Sequence, residues 1–309
     1  MNSNVNDLFK NCILPADEDI LPPSDDRIFK VLLTHPNAKI VLMDIISSII
    51  NQKVVDVQIR GNEVPAMDTD EKNERFDVNC TIGTGDQVDV EMHSCRQDEI
   101  GSEHINFINK YTYFLTDLHS SQMSKGKLYR ELVKTYQITF CMYTIFPCLP
   151  DYINWFSLRS SEGIQLTDQI NMIIIELSKV NNLLKKPITE LTSFEKWSLF
   201  FRFAPDPVQR VYINDIIVNR KEISMAAALL REISKDEHER ARARSRKMYE
   251  MDMFSNIGTA ELRGRIEGRA EGGQNEKISI ARNMLIKGLT PELINEITGL
   301  SFEQIERLR

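Results

Sequence analysis

Two short segments of the chain alternate acidic and apolar residues, and they are where its side chains could do chemistry. Residues 76–82 read Phe-Asp-Val-Asn-Cys-Thr-Ile, and residues 88–93 read Val-Asp-Val-Glu-Met-His. This alternation is typical of strands with one apolar face, and the intervening Gly83-Thr84-Gly85 suits a short hairpin loop. The sequence therefore predicts an antiparallel hairpin that carries Asp77 and Glu91 on its polar face.

The register of this hairpin follows from its apolar residues. We expect Val78 to lie opposite Val90, because a shift by one residue would turn every apolar side chain to the other face. In that register Asp77 lies directly opposite Glu91, with Cβ atoms roughly 4.5–5.5 Å apart. The pairing also brings the two carboxylates onto the same side of the hairpin.

Two facing carboxylates repel each other unless a positive charge lies between them. Mg²⁺ is a natural candidate, because it prefers one or two carboxylates together with water and phosphate oxygens. A metal held in this way polarises a phosphodiester and lowers the pKa of a bound water for attack. The alternative is that the polar face is simply the solvent-exposed side of an antiparallel hairpin, which is the usual arrangement.

The remaining segments predict the elements that hold this hairpin. Helices are expected from about Asp26, with Ser24 or Asp25 as the cap, and then over residues 37–50 and 193–203. Further strands are expected at Val54–Arg60, Ile138–Phe146 (as a central strand), Trp155–Leu158 and Gln169–Leu177, with a turn at residues 160–163 joining the last two. Together they predict an α/β fold, a mixed sheet flanked by helices.

The chain also divides by composition along its length. We expect a flexible N-terminal segment over residues 1–21 and the α/β domain over residues 22–224. Within residues 225–275 we expect a charged helix over Met225–Tyr249 and then a linker rich in Gly, Arg and Glu at Arg263–Gly273. Residues 276–309 predict a small helical unit, with helix-start signals at Thr290-Pro291 and Ser301.

Charge and cysteine content restrict the class of protein. The 309 residues carry a formal net charge of −7, which argues against a surface that attracts nucleic acid everywhere but allows a local basic patch or a metal to do so. The five cysteines form no CxxC pair, so a zinc site of the usual spacing is not expected. The longest apolar run is too short to span a bilayer, and no charged-then-apolar leader is visible. We therefore expect a soluble, cytoplasmic protein with no membrane contact.

Several motifs, taken in order, resemble a known family. They are Asp26-Arg27-Ile28-Phe29-Lys30, Asp77, Glu91-Met92-His93, the segment 126–132 before an apolar strand, and the tail over residues 277–301. In this order the chain resembles the PD-(D/E)XK nuclease family transposases, also called recombination-promoting nucleases (Rpn), from about Pro22 onward. The resemblance implies a restriction-endonuclease-like mixed sheet with a C-terminal helical extension. It also implies a metal-dependent DNA endonuclease linked to recombination or transposition.

The resemblance further implies roles for individual residues. Asp77 and Glu91 would be the metal ligands, His93 would stand where the family usually has glutamine, and Asp26 would be a helix-borne acid near the metal. Lys30 and Lys72 would contact phosphate. The cofactor implied is Mg²⁺, with Mn²⁺ able to substitute, and the partner implied is DNA.

Two departures from the family pattern leave an alternative open. His93 replaces the usual glutamine, and Phe107 stands where we expect an arginine four residues before Tyr111. A catalytically decayed protein that keeps the fold and binds DNA or protein would show such changes. A DNA-binding regulator acting through residues 276–309 is a third hypothesis. The acidic exposed residues of that unit favour packing or homo-oligomer formation through the C-terminal helices instead.

Overall fold

A computed structural model of the chain describes residues 12–60, 78–94 and 103–308. Its helices are α1 Asp26–Thr34, α2 Lys39–Ile50, α3 Glu103–Ser120, α4 Ser193–Phe203, α5 Arg210–Val218, α6 Lys221–Lys235, α7 Glu237–Ile286, α8 Pro291–Thr298 and α9 Phe302–Glu306. Its strands are β1 Val57–Ile59, β2 Val78–Ile82, β3 Gln87–His93, β4 Thr135–Cys141, β5 Ile153–Ser157 and β6 Ile170–Glu176. Short 3-10 turns lie at Tyr129–Glu131, Leu177–Lys185 and Ile188–Glu190.

The six strands form one mixed sheet in the order β1-β2-β3-β4-β6-β5. The first three strands pair antiparallel, β3-β4-β6 run parallel, and β5 returns antiparallel along the edge. Helices flank the sheet on both faces, so the predicted fold class is confirmed. The predicted hairpin between the last two strands is also present, with its turn closed by a hydrogen bond from Gly163 N–H to Ser160 C=O at 2.9 Å.

The register of the central hairpin is the predicted one. Val78 pairs with Val90, and Asn79 pairs with Asp89. The loop over residues 83–85 is closed by Gly85 N–H donating to Ile82 C=O at 2.8 Å. Gly85 has a φ of 93°, a backbone conformation that glycine adopts without a steric penalty. Matching of apolar side chains therefore sets this pairing, as expected.

The two faces of the sheet pack against different layers. On one face, alternate strand residues such as Val90 and Phe140 join α1, α2, α4 and α6 in the main core, where the Phe29 ring lies 5.7 Å from that of Phe140. On the other face α3 and the strands together form a smaller apolar cluster. That cluster comprises Phe107, Tyr111, Phe114, Leu115, Cys141, Ile145, Met172 and Ile174. Side chains alternate between the two faces along a strand. The residues of β3 that lie between its apolar core residues therefore point to the opposite face, toward α3.

Several predicted boundaries were wrong. The central strand β4 covers Thr135–Cys141 rather than Ile138–Phe146. The charged helix expected over residues 225–249 is broken at Asp236, whose carboxylate accepts the Glu239 N–H at 2.9 Å at the start of α7. The predicted linker at Arg263–Gly273 is helical, as part of α7. Each glycine costs a helix about 1 kcal/mol, but the arginine, glutamate and alanine residues between these glycines are strong helix formers.

The chain divides into two compact units, residues 1–243 and 244–309. In the second unit Ala281, Ile294, Leu300 and Ile305 form a small buried core. Its helix signals are those expected from the sequence, since Pro291 opens α8 and Ser301 forms a capping box with Gln304. Across the described residues, no helix combines the length and apolar character that a membrane span requires.

Candidate active site

Glu91 lies in the middle of the sheet, on β3. Its side chain is only 3% exposed, and its register neighbour on β4 is Thr139. Asp77 directly precedes β2 and lies outside the described residues, as do Lys72 and the first eleven residues of the chain. The facing carboxylate pair therefore stays a prediction, although the strand pairing that leads to it is confirmed at the next positions.

The polar face of the hairpin is buried, so its interpretation as a solvent-exposed face was wrong. The polar residues on this face are Asn79 on β2, Gln87, Asp89 and Glu91 on β3, and Thr135, Gln137 and Thr139 on β4, none of them more than 6% exposed. Burying polar groups costs free energy unless they find partners. A row of such groups at the centre of a sheet therefore indicates a site with a use beyond stability.

Oxygen atoms dominate this buried row. Gln137 Nε2 donates to Asp89 Oδ2 at 2.8 Å, which orients both side chains. Within the described parts of the chain, Gln137 Oε1 and Thr139 Oγ1 are buried and meet no hydrogen-bond partner. Carboxylate, amide and hydroxyl oxygens are the ligands that Mg²⁺ prefers, directly or through its water molecules.

The described residues by themselves do not complete a metal centre. Among them, no group of three or more His, Cys, Asp or Glu side chains is arranged to hold a metal ion. Glu91 and the neighbouring oxygens fit such an ion in chemical type, so a full ligand set would draw on water and on a carboxylate such as Asp77.

His93 lies two residues beyond Glu91 on the same face, inside an aromatic box. Its Nδ1 is 2.9 Å from the Tyr111 hydroxyl, and its ring packs edge-on against Phe107 and Tyr143 at centroid distances of 5.3 and 5.6 Å. Burial lowers the pKa of His93 to about 4, and the nearby charge of Lys110 acts in the same direction. The imidazole is therefore neutral at pH 7, and Nε2 is the nitrogen that could orient a water molecule.

The two departures from the family pattern contact each other. Phe107 is 4% exposed and presents its ring at 87° to that of His93, an edge-to-face contact that aromatic rings favour. The charge of Lys110 already disfavours the protonated form of the His93 imidazole. An arginine at position 107 would place a second positive charge beside that ring. The two replacements therefore form one packed arrangement.

The helix that carries Asp26 and Lys30 packs on the other side of the sheet. Phe29 lies in the main core, on the face opposite to the one lined by Glu91 and His93. Asp25 is the helix cap, accepting N–H groups of the first turn, and Asp26 Oδ1 accepts the Arg27 N–H at 2.8 Å. The roles of Asp26 and Lys30 at the site stay predictions.

Sequence reasoning missed Gln137 and Thr139. Their signal was present, because Thr135-Tyr136-Gln137-Ile138-Thr139 alternates polar and bulky apolar residues. Beginning the strand at Ile138 hid that alternation and made β4 read as uniformly apolar. Lys110 was also missed, since its effect on His93 depends on how α3 packs on the sheet.

Comparison with known proteins decides the family. A family model described as PD-(D/E)XK nuclease family transposase matches residues 23–260. The chain belongs to this family. A second model, described as the C-terminal HTH domain of the Rpn/YhgA-like nuclease family, matches residues 274–309. Comparisons with curated proteins and with solved structures find no match.

These matches confirm the resemblance read from the ordered motifs. The hairpin and the buried oxygen row lie inside the nuclease match, and nucleases of this type generally use divalent metals. The description of the C-terminal match as an HTH domain indicates an interaction with DNA, whereas the acidic residues of that unit had favoured a packing or oligomerising role.

Proposed function

We propose that the chain is a Mg²⁺-dependent DNA endonuclease that hydrolyses phosphodiester bonds during recombination or transposition. The observation that carries the proposal is Glu91, a carboxylate buried within an oxygen-lined sheet face of a PD-(D/E)XK family member. Asp77, expected directly across the hairpin from Glu91, would be the second ligand. Mn²⁺ is expected to substitute for Mg²⁺, since both accept carboxylate and water ligands.

The chemistry supplied by the bound cation would be polarisation of the phosphodiester and a lowered pKa of a bound water. Glu91 and Asp77 would hold that cation. The Gln137 and Thr139 oxygens would accept hydrogen bonds from the water molecules bound to it and so hold them in place. The neutral His93, oriented by Tyr111, would position the attacking water through Nε2. Its lowered pKa makes it a weak base at pH 7, so orientation rather than proton abstraction is its expected contribution.

The remaining predicted residues would act on the substrate. Lys30 and Lys72 would contact phosphate, and Asp26 would approach the metal shell only past the ends of the strands, because α1 packs on the opposite face of the sheet. Residues 274–309 would contribute to DNA binding, in keeping with the HTH match. We propose these roles separately from that of Glu91, because each is testable by its own substitution without disturbing the buried face.

A plasmid assay tests the catalytic proposal. Purified protein is incubated with supercoiled plasmid and Mg²⁺ or Mn²⁺, comparing wild type with Glu91→Gln, Asp77→Asn and the control Glu162→Gln, which alters an exposed carboxylate. Wild type and control should relax the plasmid, and the two site variants should be slower by at least about 10- to 100-fold, the loss that is typical when even a group supporting a metal ligand is changed. Equal relaxation by wild type and Glu91→Gln would assign the activity to a contaminant and reject the proposal.

The second candidate is a decayed nuclease that binds DNA or protein without cutting. The coupled replacements at His93 and Phe107 favour it, since they remove two polar side chains expected in the family. Calorimetry with Mn²⁺ separates the candidates, because an active enzyme should bind Mn²⁺ saturably through Asp77 and Glu91. DNA binding without saturable Mn²⁺ binding would favour the decayed protein.

A further inference from the structure

Strand β5 forms one edge of the sheet, and its outer side pairs with no strand in the part of the chain that the structure describes. Glu176 N–H donates to Tyr152 C=O at 2.7 Å, so the even-numbered residues of this strand bond inward to β6. Antiparallel strands alternate the direction of their main-chain groups. The N–H and C=O groups of Ile153, Trp155 and Ser157 therefore point away from the sheet.

This edge is also unusually apolar. Trp155 is 45% exposed, Phe156 is 37% exposed and Leu158 is 46% exposed. Natural proteins usually protect an open edge with charges, proline, a bulge or a covering segment, because an unprotected edge pairs with other strands. Among the described residues, β5 itself (Ile153–Ser157) contains no charge or proline and pairs with no strand on its outer side, and the nearest charges lie at its two ends, so the edge is suited to accept a partner strand.

We propose that two copies of the chain pair antiparallel through β5, about a two-fold axis at Trp155. In this register Trp155 lies opposite Trp155 of the second copy, and Ile153 lies opposite Ser157. All of these residues direct their main-chain groups outward, so each opposed pair exchanges two hydrogen bonds. The Trp155 side chains lie on the same face of the joined sheet, each held over its own sheet by a hydrogen bond from Nε1 to Asn171 Oδ1 at 3.2 Å.

Charge complementarity favours this register, and it favours a second copy of the chain as the partner that binds the edge of β5. The axis at Trp155 brings the exposed Asp151 of each copy next to Arg159 of the other, at both ends of the joined strands. The guanidinium is already held near the strand, because Arg159 Nη1 donates to Gly163 C=O at 2.9 Å and Nε donates to Ser157 Oγ at 3.1 Å. Moving the axis by two residues in either direction separates the opposite charges.

The experiment measures the mass of the full-length chain by sedimentation across a range of protein concentrations. Wild type should dimerise, and Asp151→Arg or Arg159→Asp should each weaken dimerisation at least about tenfold, because each places like charges together at both ends. An equimolar mixture of the two variants should recover the dimer, since every junction in the mixed pair joins opposite charges. The control Lys53→Asp changes an exposed charge elsewhere and should dimerise as wild type does.

A crosslink provides a second measurement. In a background carrying Cys95→Ser and Cys148→Ser, Trp155→Cys should form an intermolecular disulfide on mild oxidation, because opposed residues in such a pair have Cα atoms about 5.5 Å apart. A monomeric wild type would overturn the proposal. So would an Asp151→Arg variant that dimerises as well as wild type, or a mixture of variants that stays monomeric. A dimer lost only on changing residues 274–309 would place the interface in the C-terminal helices and overturn it too.

Discussion

Replacing His93 with glutamine, the residue usual in the family, should remove a pH-dependent part of the stability. The pKa of His93 is lowered to about 4 by burial, against an ordinary value of 6.5. Between these values the unfolded chain binds a proton that the folded chain does not, so the free energy of unfolding falls as the pH falls. The contribution is complete above pH ~6.5 and is lost on approaching pH ~4.

The size of the effect follows from the shift. At 1.36 kcal/mol for each pH unit, a displacement from 6.5 to about 4 corresponds to about 3 kcal/mol. Glutamine does not titrate and can still hydrogen-bond the Tyr111 hydroxyl. Wild type should therefore lose about 3 kcal/mol relative to His93→Gln between neutral pH and pH ~4, whatever the difference between the two at neutral pH.

Urea unfolding of both proteins at a series of pH values measures this difference. Other titrating groups cancel, because the two chains differ at a single position. Lys110→Met provides a companion variant, since removing that charge should raise the pKa of His93 and make the loss on acidification smaller. A stability difference that stays constant from neutral pH to pH ~4 would show that His93 is not buried as a neutral imidazole and would refute the reasoning.

Three further predictions test the scaffold and the metal. Glu176→Ala should lower the free energy of unfolding by about 3–5 kcal/mol in urea titrations, because it removes a fully buried carboxylate. The substitution also takes away the ion-pair partner of Lys179, whose side chain is only 14% exposed. Gly85→Ala should cost about 1–2 kcal/mol by the same measurement, because φ is 93° there, whereas Gly264→Ala within α7 should gain up to about 1 kcal/mol. Mn²⁺ at about a hundred times its Kd should stabilise wild type by about 2.7 kcal/mol and raise its Tm in calorimetry, and should leave Glu91→Ala unchanged.

Each of these expectations has an opposing result. A Glu176→Ala variant as stable as wild type would mean that the Ile145 and Phe146 N–H groups, which now donate to this carboxylate, find other partners at no cost. Equal effects of alanine at Gly85 and Gly264 would remove the argument from backbone conformation. A rise in Tm with Mn²⁺ in Glu91→Ala as large as in wild type would place the metal elsewhere.

Local pattern was sufficient for much of the fold. The pairing of Val78 with Val90 followed from apolar alternation alone, because a strand has only two faces and one had to be buried. The helix over Ser193–Phe203 and the capping box at Ser301 were likewise predicted, since caps and helical periodicity act within a few residues. The ordered motifs also indicated the family that the later match confirmed.

Tertiary packing decided the character of the site. Alternation distinguishes two faces of a strand but does not say which is covered, and only the docking of α3 shows that the face of Glu91 is buried. The contact between His93 and Phe107 joins residues on different elements, so neither substitution could be understood alone from sequence. The exposed edge at β5 likewise arises from strand order, which depends on contacts between distant segments that residue spacing does not encode.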